Sequence, residues 1–109
     1  MASKAEEFRA EPRYAIERDI DLHLQCGSIF TAQLVELSRS GCRISDVAQI
    51  GLKSSEVITL LLHRSLKLDA SVRWCSHGFA GLRLLRPLHQ AELDALVSLS
   101  RSWRQARSS

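Results

Sequence analysis

Lysine is scarce in this chain: only Lys4, Lys53 and Lys67 among the 15 basic residues are lysines, and arginine supplies the rest. Arginine presents a planar fork that grips a phosphate or a guanine edge at two points and stacks on a base. A GC-rich coding sequence enriches arginine in the same way, so the excess alone assigns no ligand. Long apolar runs are also missing. No stretch approaches the roughly 20 residues a helix needs to cross a bilayer. The first ten residues are too polar for a signal peptide, and a cytoplasmic location is expected. Cysteine is sparse and odd in number, at three, which argues against a disulfide framework and for a reducing compartment. Aromatic residues make up only 6%, leaving few platforms on which bases could stack. The net charge of +3 is compatible with an anionic partner without demanding one.

What is present is alternation. At 109 residues the chain is long enough for one domain with a modest core. From Asp19 to Cys26 polar and apolar residues alternate, predicting a half-buried strand with Ile20, Leu22, Leu24 and Cys26 inward. Gly27-Ser28 turns the chain into a second strand carrying Phe30, Ala32 and Leu34 on one face. Cys42 and Ile44 begin a third strand, and residues 45–55 read as a loop with one short apolar anchor. Val57 to Leu62 is wholly apolar and reads as a central strand, although a helix is not excluded by periodicity. Leu66, Leu68, Ala70, Val72 and Trp74 alternate with polar residues. Ser76-His77-Gly78 is a turn, and the segment from Phe79 to Leu85 pairs back with Leu82 and Leu84 on one face. Such a series predicts a mainly β fold, a small antiparallel barrel. At Pro87, which suits the first turn of a helix, the period changes. Leu93, Leu96, Val97 and Trp103 form one helical stripe, with Arg101, Arg104 and Arg107 at the C-terminal end, where cations are favoured. The expected organisation is an extended arm over residues 1–18 and a barrel with a C-terminal helix over 19–105.

One stretch combines a turn with ligand-binding chemistry. Between the second and third strands lie Glu36, Ser38, Arg39, Ser40, Gly41 and Arg43: a carboxylate, two hydroxyls and two guanidiniums around a glycine. The glycine permits a positive φ or a close backbone approach. Upstream, Arg9-Ala10-Glu11-Pro12-Arg13 spells R-x-x-x-R on the arm. Pro12 biases Glu11 to extended geometry, so the two arginines cannot share a helical face. Arg18 competes for a place in this pattern but stands one residue too far from Arg13.

The two elements together, R-x-x-x-R at Arg9 and Arg13 and Glu36-x-Ser38-x-x-Gly41, resemble the signature of PilZ domains, the bacterial receptors for cyclic di-GMP. Arg73-Trp74 and the run Gly81-Leu82-Arg83-Leu84 look like closing strands of that family, so the resemblance spans nearly the whole chain. Glu36 departs from it, standing where the family has Asp or Asn. The resemblance implies a six-stranded split β-barrel with a C-terminal helix. It also implies a receptor that binds cyclic di-GMP and performs no chemistry on it. Arg9 and Arg13 would then be a clasp, Glu36 and Ser38 would read ligand edges, and Gly41 would shape the turn. Arg18, Arg39, Arg43 and Arg83 are further candidate contacts. Ligand binding would order the arm and signal to a partner protein.

Two alternatives differ in class. A degenerate PilZ-like module would act through protein–protein contacts without the nucleotide. A small basic barrel would bind single-stranded nucleic acid, which the low aromatic content disfavours. Zinc has ligand types available in His23, Cys26, Cys75 and His77, but His23 and Cys26 fall on opposite faces of an unbroken strand. No metal or cofactor is expected. Glu36 and Asp46 form no evident acid–base pair, His63 and His89 read as surface residues, and no enzyme activity is expected.

Overall fold

The computed structural model describes the backbone of residues 11–63 and 66–108, with side chains over 11–62 and 66–99. Six strands and one helix follow in order: β1 (Tyr14–Leu24), β2 (Ile29–Leu37), β3 (Gly41–Ser45), β4 (Val57–His63), β5 (Leu66–Ser76), β6 (Phe79–Leu84) and α1 (Gln90–Ser108). The strands pair antiparallel and close into a barrel in the order β1-β2-β3-β6-β5-β4. Closure removes the unpaired edges that an open sheet would leave. The mainly β architecture with a C-terminal helix is therefore as expected.

Alternation explains most of the core. Ile20 and Leu22 of β1, Ala32 and Leu34 of β2, and Ile58, Leu60 and Leu62 of β4 all point into the barrel and are buried. In the loop between β3 and β4 both Val47 and Leu52 are buried, so it carries two apolar anchors. Leu93, Leu96 and Val97 turn the apolar stripe of α1 inward, and the helix packs against β1. Pro87 lies ahead of this helix rather than in its first turn. The helix opens instead on the His89 amide, which donates to Glu92 Oε1 at 2.9 Å and so satisfies one orphan donor. The side chains of Trp103, Arg101, Arg104 and Arg107 lie outside the described residues.

Several sequence expectations need correction. The first strand begins at Tyr14, so residues 14–18 belong to the barrel and not to the arm. Its start was hidden because Arg18 occupies the inward side between Ile16 and Ile20, and a bulge interrupts pairing between Ala15 and Arg18. Cys26 sits in the exposed turn after β1 and not on the inward face. Phe30, at the start of β2, is 36% exposed. Trp74 was expected inward with Leu68, Ala70 and Val72. A register shift between Val72 and Trp74 re-aims it, and it is 46% exposed.

Candidate functional site

The bend between β2 and β3 is a short hairpin with Arg39 and Ser40 at its tip. The Ser38 amide donates to the Gly41 carbonyl at 2.9 Å. The Ser38 hydroxyl donates to the same carbonyl at 3.1 Å and accepts from the Gly41 amide at 3.2 Å. Ser38 is accordingly buried, and its hydroxyl braces the hairpin from within. Gly41 does not adopt a positive φ. It is needed for close approach: a Cβ there would stand 2.6 Å from the Leu82 carbonyl oxygen on β6. The tip is tied down from outside as well. Ser40 O accepts from the Leu84 amide at 2.8 Å and Arg39 O from the Leu88 amide at 2.7 Å.

Beside this bend opens a cleft of about 500 Å³. Its walls include Arg13 ahead of β1, Glu36 at the end of β2, Ser38 and Ser40 of the hairpin, Arg43 on β3, Arg73 and Trp74 on β5, and Arg83 on β6. Gly41 and Gly81 are also in its lining. A Cβ at Gly81 would overlap the Trp74 indole, so this glycine makes room for the ring to lie across the β5–β6 pair. Four guanidiniums face two carboxylates, those of Glu11 and Glu36, leaving two net positive charges around the cleft. Such a concave, polar, cationic site suits an anion with planar apolar parts.

Of the residues singled out from sequence, the structure brings Arg13, Glu36, Ser38, Gly41, Arg43 and Arg83 to this one cleft. Arg13 Nη1 lies 4.0 Å from Glu36 Oε1, an ion pair whose arginine is largely solvated. Glu36 belongs to β2 and not to the turn, with Arg43 as its cross-strand neighbour beyond a bulge at Leu34. The Arg43 guanidinium lies 5.9 Å from the centroid of the Phe79 ring. Two candidates are placed elsewhere. Arg39 turns away, its Nε donating to the Leu88 carbonyl at 2.9 Å. Arg18 lies on the inward side of β1. Its Nη1 is buried with no hydrogen-bond partner among the described residues, and burial pushes its pKa down. Arg9 lies outside the described residues.

Sequence reasoning named Ser40 only as one of the turn's hydroxyls, and it missed Glu11, Arg73 and Trp74 as wall residues. Glu11 Oε1 accepts from the Ser40 hydroxyl at 2.6 Å and from the Ser40 amide at 3.2 Å. Partial burial raises the pKa of this carboxyl, but hydrogen bonds from the hairpin, that of the Ser40 hydroxyl first and that of the Ser40 amide with it, and nearby Arg39 outweigh it and hold the group below its ordinary value. Nothing local in sequence joins Glu11 to Ser40. Arg73 and Trp74 were visible as a pair, but their outward aim depends on the β5 bulge.

Comparison with known proteins agrees with this architecture. No curated protein matches the chain. An uncharacterized Legionella protein of known crystal structure is similar, at 17% identity and a TM-score of 0.48, over 90% of this chain and 99% of that one. The structure of the K. pneumonia MrkH–c-di-GMP complex is similar at 13% identity and a TM-score of 0.50. It covers 93% of this chain, which spans 55% of that protein. The family model for the PilZ domain matches residues 7–102, and the chain belongs to the PilZ domain family.

Proposed function

We propose that the cleft binds cyclic di-GMP and that the chain is a receptor that senses the nucleotide without transforming it. The observation that carries this reading is the convergence of Arg13, Arg43, Arg73 and Arg83 with Glu36 around one glycine-lined cleft with two net positive charges. Cyclic di-GMP carries two phosphodiester charges and two guanines. Its charge complements the guanidiniums, its flat bases suit Trp74, and its N–H edges suit a carboxylate. Membership of the PilZ family and the likeness to the MrkH–c-di-GMP complex support the same ligand.

In this reading Arg9 and Arg13 grip the ligand from the arm, and Glu36 accepts from a guanine edge. Ser38 acts mainly by holding the hairpin, because its proton is committed to the Gly41 carbonyl. Each hydrogen bond to a charged group contributes about 1.5–3 kcal/mol net, so a few of them reach micromolar affinity, about 8 kcal/mol. Binding completes the order of the arm, creates a surface for a cytoplasmic partner protein, and so passes on the signal. A second reading, a PilZ-like module that acts on a protein partner without the nucleotide, is favoured by the Arg13–Glu36 pair, which partly neutralises the site from within. Calorimetric titration of the chain with cyclic di-GMP tests the choice. Saturable heat with micromolar or tighter affinity supports the receptor, and absence of heat supports the protein-interaction module.

A further inference from the structure

We propose that Glu11 is a positioning residue, its carboxylate seated on Ser40 so that the arm is held against the hairpin tip before any ligand arrives and Arg13 is set at the mouth of the cleft. This rests on the reading of the cleft as a nucleotide site. Both donors of Ser40, hydroxyl and amide, converge on Glu11 Oε1 at 2.6 and 3.2 Å. Charge-assisted bonds of this kind are the strong ones. The lowered pKa of Glu11 agrees that the ionised form is the one held there.

The anchor is firm because the tip is itself fixed. Its carbonyls accept from the Leu84 and Leu88 amides, and Arg39 Nε grips the Leu88 carbonyl. Between Glu11 and Arg13 stands Pro12, whose ring locks φ. With Glu11 seated, Arg13 therefore has a short, stiff tether, and its guanidinium lies within reach of Glu36 across the cleft. The ordering entropy of this part of the arm is spent in the free protein, which favours a tighter complex. The opposite role would be a plug. In that case the carboxylate would merely occupy donors that an anionic ligand seeks.

The test compares wild type with Glu11→Ala and Glu11→Gln in two measurements, amide hydrogen exchange of the ligand-free proteins and calorimetry with cyclic di-GMP. Loss of the latch speeds exchange of the Ser40 amide by about tenfold, while amides of the barrel strands such as Leu22 and Leu60 keep their rates. Affinity for cyclic di-GMP falls by about tenfold in Glu11→Ala and by less in Glu11→Gln, which retains an acceptor. Unchanged Ser40 exchange in Glu11→Ala would overturn the latch. Unchanged or tighter nucleotide binding in that variant would overturn the positioning role, the tighter result marking a plug. Should wild type give no heat with cyclic di-GMP, the nucleotide reading fails by itself, and Ser40 exchange alone decides whether Glu11 holds the arm.

Discussion

The Trp74 indole lies over Gly81, its cross-strand partner, in space that any Cβ at position 81 would occupy. A strand glycine ordinarily weakens a sheet. Here it seats an exposed aromatic ring as one wall of the cationic cleft. Gly81→Ala is expected to push the ring out of its seat. Stacking of a base on an aromatic ring is worth about 1–3 kcal/mol, so affinity for cyclic di-GMP should fall at least several-fold. Tryptophan emission should shift in the ligand-free variant. An unmoved spectrum with unchanged affinity would show that the ring does not depend on this glycine.

Gly41 answers to a harder constraint. The atom its Cβ would meet is the Leu82 carbonyl oxygen, which is backbone and cannot swing aside. Gly41→Ala must therefore spread the β3–β6 pair. Overpacking of this kind costs about 1–3 kcal/mol, to be read from the midpoint of urea unfolding. A variant as stable as wild type would contradict the close approach.

Glu36→Asp shortens the carboxylate arm by one methylene and draws it back from Arg13, now 4.0 Å away. The arginine of the pair is largely solvated, and ion pairs near the surface contribute about 0–1 kcal/mol, so the unfolding midpoint should hardly move. Arg13 is freed for the ligand, and calorimetry should register tighter cyclic di-GMP binding. Weaker binding would mean that the longer side chain of Glu36 is itself the better reader of the ligand.

The cysteines differ sharply in reactivity. Burial pushes the Cys42 thiol up to about 12, while Cys26 and Cys75 are exposed. Hydrogen bonding with Ser28, to whose hydroxyl the Cys26 thiol lies at 3.4 Å, holds that thiol below its ordinary value. The thiolate is the nucleophile. Iodoacetamide at mildly alkaline pH should therefore label Cys26 and Cys75 and spare Cys42 until the barrel unfolds, as read by peptide mass mapping. Early labelling of Cys42 would contradict its burial.

How far the chain could be read from its letters follows from where periodicity holds. The run Asp19-Ile20-Asp21-Leu22 disclosed β1 because each alternate residue enters the core. Ser38 and Gly41 were legible because a hairpin bend is local chemistry. Bulges are not. The shift at Val72 turned Trp74 from an expected core residue into a cleft wall, and the one near Ala15 helped to conceal the start of β1. An inward arginine, Arg18, completed that disguise by placing a charge where an apolar residue was due. The contact of Glu11 with Ser40 joins residues distant in sequence through side-chain chemistry that no local pattern announces.

Titration of wild type and Arg13→Ala with cyclic di-GMP by calorimetry tests the central claim most directly, because Arg13 is an arm arginine shown at the cleft. Loss of one or two charged hydrogen bonds, each about 1.5–3 kcal/mol, predicts saturable binding by wild type and an affinity at least tenfold weaker in the variant. A wild type that gives no heat, or a variant that binds as well as wild type, would contradict it.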